Sequence, residues 1–230
     1  NVWGYKGSTG DIDWSYDYHA MINSFRIFPE IAGWVYTEHH DVINEWNGYW
    51  RFDRSKKFTG VEEIFDGMTL NDFHSPIYLS TGGQICQTVS GGEKIDVPLF
   101  ISSMTPKEYG KELVIDYKLS HINYIGEESI LQSNQIKFDY HPWLQKSLPS
   151  LNLTMAKVGG LSKLTFTLKT TQGEVLHRNF MHFQVISDKE LNILEEGPVI
   201  AISTPDNAID GMDPRWRETP CSTSAKAKRR

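Results

Sequence analysis

Long apolar runs are missing from this sequence. No stretch approaches the roughly 20 consecutive apolar residues that a membrane-spanning helix needs, so no membrane partner is expected. Cysteine is scarce: Cys86 and Cys221 are the only two, far apart and in unlike surroundings. They allow one disulfide, but no disulfide framework and no zinc-type spacing. Cys86, inside an alternating apolar stretch, reads as a small buried hydrophobe. Basic charge is also short, with 23 Lys and Arg against 29 Asp and Glu, a formal net charge of −6. Phosphate backbones are bound by basic surfaces, so no nucleic-acid partner is expected. The dense basic run Lys226-Ala227-Lys228-Arg229-Arg230 reads as a solvated tail. Gly7-Ser8-Thr9-Gly10 is no phosphate loop, because it lacks the Gly-Lys-Ser/Thr ending. There are no internal repeats.

Apolar material for a core is plentiful. Of 230 residues, 39% are hydrophobic and 12% aromatic, which excludes wholesale disorder. Asp11 or Asp13 is suited to cap a helix that carries Trp14, Tyr18, Met21, Ile22 and Phe25 on one stripe and stops at Pro29. Ile31–Thr37, rich in β-branched and aromatic residues, reads as a buried strand. Val61, Ile64, Phe65 and Met68 keep helical spacing within 61–74. From Pro76 onward the pattern is that of strands, at 76–80, 85–89, 94–102, 112–123, 135–141, 151–155, 161–170 and 174–186. Ile95, Val97, Leu99 and Ile101 alternate, as do Leu113, Ile115, Tyr117 and Leu119. Thr171-Gln172-Gly173 is suited to a hairpin turn. Such a series argues for an antiparallel sandwich.

The densest polar and aromatic cluster follows the expected strand at 31–37. It comprises Tyr36, Glu38, His39, His40 and Asp41, continued by Asn44, Glu45, Trp46, Asn47, Tyr49 and Trp50. Aromatic faces stack on the apolar faces of sugar rings, and carboxylates, amides and imidazoles bond hydroxyls, so the mix suits a carbohydrate subsite. Tyr36, Glu38, His39, His40, Trp46 and Asn47 are the expected substrate-binding residues. For any single aromatic residue, packing is the blander alternative. Glu38, His39, His40 and Asp41 also contain metal-ligand chemistry. Adjacent residues on an extended backbone point opposite ways, however, so no metal is assigned, and no cofactor is expected. His121, His141, His177 and His182 read as surface or hydrogen-bonded core imidazoles.

The run Phe25-Arg26-Ile27-Phe28-Pro29-Glu30-Ile31-Ala32-Gly33-Trp34-Val35-Tyr36 is similar to the last helix–strand passage of family 2 glycoside hydrolases, the β-galactosidase and β-glucuronidase superfamily. Thr37–Trp50 resembles a bacterial subgroup that digests plant or algal polysaccharides. The resemblance spans residues 1–75 and extends more loosely to about residue 186. It implies a mixed α and β fold in which residues 1–75 are the C-terminal remnant of a (β/α)8 barrel. Residues 76–186 would form an antiparallel immunoglobulin-like β-sandwich, and 187–230 an irregular tail. It also implies retaining hydrolysis by two glutamates about 5–5.5 Å apart. Neither glutamate position falls within this sequence, which has no Glu among its first 29 residues, so no catalytic residue is assigned. Tyr36 matches the aromatic residue that walls the family's sugar pocket.

The expected function is therefore that of a fragment of a retaining β-glycoside hydrolase acting on poly- or oligosaccharide. It would supply part of the sugar pocket without the catalytic glutamates. The alternative is a non-catalytic carbohydrate-binding or scaffolding β-sandwich protein. The relatives suggest a periplasmic or secreted setting, and the oligomeric state stays open. The loss of alternation over 206–230 reads as translation out of frame or truncation.

Overall fold

The computed structural model describes residues 13–43 and 45–187. Helix α1 spans Asp17–Phe25, α2 Val61–Ile64 and α3 Leu70–Phe73. Eight strands follow: β1 (Ile77–Ser80), β2 (Cys86–Ser90), β3 (Lys94–Ser103), β4 (Glu112–Asn123), β5 (Glu128–Asp139), β6 (Gln145–Thr154), β7 (Gly160–Thr170) and β8 (Val175–Ile186). They form a three-stranded sheet in the order β1-β3-β6 and a five-stranded sheet in the order β2-β8-β7-β4-β5. Cys221 and the basic end lie outside the described residues, as does the expectation for the tail. Cys86 itself is half-buried rather than buried.

Alternation builds the main core. Val97, Leu99 and Ile101 of β3, with Leu148, Leu151 and Leu153 of β6, meet Leu113, Ile115, Tyr117 and Leu119 of β4. Leu164, Phe166 and Leu168 of β7 and Met181, Phe183 and Val185 of β8 complete it. Residues two apart share one face of a strand, so each strand commits a row of side chains to the layer between the sheets. Gly160 holds the start of β7 close to β4. Its φ is +146°, and a Cβ there would stand 2.2 Å from the Ile122 carbonyl oxygen.

A second core joins the helices to the strands. Trp14, Tyr18 and Ile22 of the α1 region pack with Val61, Met68 and Phe73, and with Tyr78 of β1 and Phe180 of β8. The period of α1 is the expected one, and Asp13 Oδ1 accepts from the Ser15 N–H at 2.8 Å one turn ahead of it. Asp11 lies outside the described residues. β2 flanks β8 only from His182 to Ile186. The earlier half of β8 meets β1 and α1 instead: Asn179 Nδ2 donates to the Leu79 carbonyl at 2.6 Å.

The expected fold class is corrected. Among the described residues there is no (β/α)8 barrel or remnant of one; the chain is mostly β, with two sheets and few helices. Ile31–Thr37 is irregular rather than a strand, and Val35 is 93% exposed. A parallel barrel strand is buried on both faces and paired along both edges. This segment has neither form of support, so its apolar residues divide between the α1 surface and solvent. The sandwich is also not antiparallel throughout, because β2 runs parallel to β8.

Gly160→Ala is expected to destabilise the protein by about 1–3 kcal/mol, since the added Cβ meets backbone and the backbone conformation disfavours a side chain. Urea denaturation monitored by tryptophan fluorescence measures the loss.

Candidate functional site

The polar and aromatic cluster of residues 34–57 lies as a folded loop against α1. Tyr36 stacks on Tyr49 with ring centroids 4.3 Å apart and planes 20° apart. Trp14 meets Tyr36 edge-on at 5.5 Å, and the Tyr18 and Tyr49 hydroxyls lie 2.5 Å apart. Tyr18 also contacts His74 Nε2 at 3.1 Å. Burial, with neighbouring Tyr18, Asp41 and Glu38, pushes the Tyr36 phenol above its ordinary range. Burial and the Tyr18 hydrogen bond do the same to Tyr49. Both phenols therefore stay neutral and serve as packing and hydrogen-bonding groups.

The expected binding residues are partly brought together, chiefly with one another. Tyr36 Oη donates to the Asn47 carbonyl at 2.5 Å, and Asn47 Nδ2 donates to the Thr37 carbonyl at 2.9 Å. These two bonds tie the halves of the loop together. His39 is exposed, His40 is half-buried, and their rings lie 5.7 Å apart. Trp46 is 38% exposed and lines a groove of about 450 Å³ with Asp41, Ile43, Phe52 and Asp53. Tyr36, Glu38, His39, His40 and Asn47 do not line it. Glu38 Oε1, His40 Nδ1 and Asn47 Oδ1 have no hydrogen-bond partner among the described residues. No group of three or more His, Cys, Asp or Glu among the described residues is placed to hold a metal.

A buried ion pair organises the loop. Lys57 Nζ lies 2.5 Å from Asp41 Oδ1, with side-chain exposures of 0% and 7%. Lys57 also donates to the Trp46 carbonyl at 2.9 Å, and the Gly48 N–H donates to Asp41 Oδ1 at 3.0 Å. Gly48 must be glycine, because a Cβ would sit 2.2 Å from the His40 carbonyl carbon. Charges buried this way are compensated only while each keeps its partners.

A second polar cluster lies under α1, and sequence reasoning did not find it. His19 is fully buried, with Nδ1 3.1 Å from the Ser15 carbonyl and Nε2 2.5 Å from Asn179 Oδ1. Asn179 is oriented by donating to Leu79 O and to Asn23 Oδ1, while its oxygen accepts from the Phe180 N–H. His19 Nδ1 therefore faces an acceptor, while Nε2 lies between Asn179 Oδ1 and the Asn23 Nδ2 donor at 3.3 Å. Burial lowers the His19 pKa to about 4, so at neutral pH the ring carries one proton, which suits donation from Nδ1 to Ser15 and acceptance at Nε2 from Asn23. Tyr16 Oη lies 2.5 Å from His182 Nδ1, and burial with nearby Lys163 lowers His182 to about 4. His177 stacks on Tyr78 at 4.1 Å, and burial with Arg26 lowers it to about 3. His121 is buried and contacts Ser162 Oγ at 2.9 Å, whereas His141 is exposed. Signals for His19 and Asn23 existed in their four-residue spacing on the α1 stripe. Asn179 carried none, since its role depends on a helix 156 residues away in sequence at Asn23.

No family model matches the chain. Over 45 residues it is 49% identical to an oligoribonuclease of Hydrogenovibrio crunogenus, a match taking in 20% of this chain and 24% of that protein. The chain thus spans about a quarter of the curated relative it matches. Among solved structures, it is similar to the alkylpurine DNA glycosylase AlkC of Pseudomonas fluorescens bound to DNA containing an abasic site analog. That likeness has a TM-score of 0.34 and 14% identity, over 49% of this chain and 31% of the other. It is also similar to the sporulation control protein Spo0M of Bacillus subtilis, with a TM-score of 0.35 and 12% identity over 53% of each chain.

These findings correct two expectations. Nothing in them points to family 2 glycoside hydrolases, so that resemblance is withdrawn. The expected partners are withdrawn too. A saccharide finds no support, and nucleic acid is no longer excluded, because the sequence match is named an oligoribonuclease. Net charge is a sum over the whole chain and does not describe any local surface. As for membranes, no helix among the described residues is long and apolar enough to cross one.

Lys57→Met should cost about 3–5 kcal/mol, because it leaves the Asp41 carboxylate buried without its cation. Adding Asp41→Leu should recover part of that loss, and chemical denaturation of both variants checks the order. The histidines set an acid limit. His19, His177 and His182 fold with pKa values below the ordinary 6.5, so the unfolded chain binds more protons between about 6.5 and 4. Stability should hold above that window and fall on acidification through it. Each tenfold drop in a ring's proton affinity on folding corresponds to about 1.4 kcal/mol, so the total loss should reach several kcal/mol. Melting curves from pH 7 to pH 4 measure the slope, and His182→Gln should make it shallower.

Proposed function

We propose that this chain is a non-catalytic scaffolding β-sandwich, whose work is done by the shape and edges of a rigid two-sheet body. The observation that carries this reading is the self-bonding of its most polar loop. Tyr36 is bonded to Asn47, Asn47 to Thr37, and Asp41 to Lys57 and Gly48. A catalytic site directs its proton donors and acceptors at a reacting group, whereas here Tyr36, Asn47, Asp41 and Lys57 direct theirs at one another and at the loop backbone. The imidazoles of His19, His177 and His182 are buried and face backbone, amide and phenol groups around the second core. Both cores stabilise a fixed shape, which is the property a scaffold needs.

The test is turnover. The full chain should release no product from chromogenic β-glycosides or from short single-stranded RNA and DNA. Glu38 and His40 each keep an unpartnered buried atom, which makes them the variants to compare. Turnover by the parent that disappears in Glu38→Gln or His40→Asn would overturn the scaffold reading.

A further inference from the structure

We propose that the outer edge of β5 is a self-association site, on which β5 of a second copy pairs antiparallel about a two-fold axis near Gln135. The inference rests on the scaffold reading and names its partner.

A strand at a sheet edge presents unpaired N–H and C=O groups, and proteins that must stay apart blunt such edges. Three of the four sheet edges among the described residues are blunted. β1 is four residues long and buried throughout. β2 is five residues long. β6 carries Lys146 and Pro149 and faces a register shift in β3 between Val97 and Leu99. β5 differs. It runs for 12 residues, and among the described residues it pairs with β4 alone. From Ser129 to Ile136 it contains neither a charged residue nor a proline. Its one irregularity lies opposite Leu119/Ser120, toward the hairpin tip, and leaves Gln132–Asp139 in unbroken register with β4.

The backbone of that regular stretch shows where a strand would fit. The Gln135 N–H is taken by Asn134 Oδ1 at 2.8 Å, a neighbouring side chain standing in for a strand carbonyl. Pairing β5 with its own copy about Gln135 sets Asn134 opposite Ile136, Ser133 opposite Lys137 and Leu131 opposite Asp139. No like charges face each other in this register. Two copies of a chain with a net charge of −6 repel each other overall, and residues 129–136 add no charge of their own to that repulsion. Gln135 meets the Gln135 of the second copy at the axis, where paired amide side chains add hydrogen bonds.

Sedimentation velocity of the full chain over a range of concentrations tests the proposal, with the parent expected to reach a dimer. Ser133→Lys combined with Gln135→Lys sets lysine against Lys137 and against itself across the axis. Both sites are exposed in the single chain, so the far-UV spectrum should be unchanged. The dimer dissociation constant should rise by at least about a hundredfold. Hydrogen exchange of the parent reads the same contact without substitution, since the amides of residues 133–137 should slow as concentration rises. A parent that stays monomeric at every concentration overturns the proposal. So does a dimer that survives in the double variant, or concentration-independent exchange at β5. The turnover assay is unaffected by any of these results, so the scaffold reading stands or falls separately.

Discussion

The contact on which the rest of this structure depends is Asn179 against α1. β2 stops flanking β8 at His182, which leaves the first half of β8 without a strand on that side. Asn179 fills the gap by donating to the Leu79 carbonyl and to Asn23, and by facing His19. Phe180, the next residue, packs into the aromatic core beneath α1, its ring centroid 4.5 Å from that of His19. Two successive residues thereby join the three-stranded sheet, the five-stranded sheet and the helix. Side chains also partner the backbone of this half of β8: Asn179 Oδ1 takes the Phe180 N–H, Asp72 the Arg178 N–H, and Ser75 donates to the Leu176 carbonyl.

Arg26 secures the same junction from its other end. Its guanidinium is buried, donates to the carbonyls of Ser75, Pro76 and Ser102, and lies over the rings of Trp34 and Tyr78. Burial lowers its pKa to about 10, which keeps it charged at neutral pH. Carbonyl oxygens and ring faces carry that charge in place of a carboxylate. The loop beyond it is held by the buried ion pair of Asp41 and Lys57, with further bonds to Gly48 N–H and the Trp46 carbonyl. Such groups confer a defined geometry at the cost of tolerance, since losing either partner leaves an uncompensated charge. Among the described residues, β5 is the one long strand left at a sheet edge with a single partner along a stretch free of charge and proline.

Much of the β region was legible because its signal is local. Alternation at period two marks β3, β4, β7 and β8 in the residues themselves, and the breaks between them hold Gly, Pro and Ser. The first halves of β5 and β6, Glu128–Asn134 and Gln145–Ser150, escape sequence reasoning because exposed polar strands carry no alternation. The loop at 31–57 misled for the opposite reason. Ile31–Thr37 has the composition of a buried strand, but strand formation requires neighbours, and none adjoins it. Tyr36, Glu38, His39, His40, Trp46 and Asn47 were recognisable as a polar and aromatic cluster. Which of them face one another was not.

The residues alone determined the strand periods, the α1 stripe and the supply of apolar side chains, because these follow from the geometry of a single element. Tertiary structure decided that the described residues form two sheets rather than part of a barrel, that β2 lies parallel to β8, and that Tyr36, Asn47, Asp41 and Lys57 are bonded within the loop. Those outcomes turn on pairings such as Asn23 with Asn179 and Lys57 with Asp41, whose partners are fixed by how the elements pack. Local propensity carries no record of a partner that is distant along the chain.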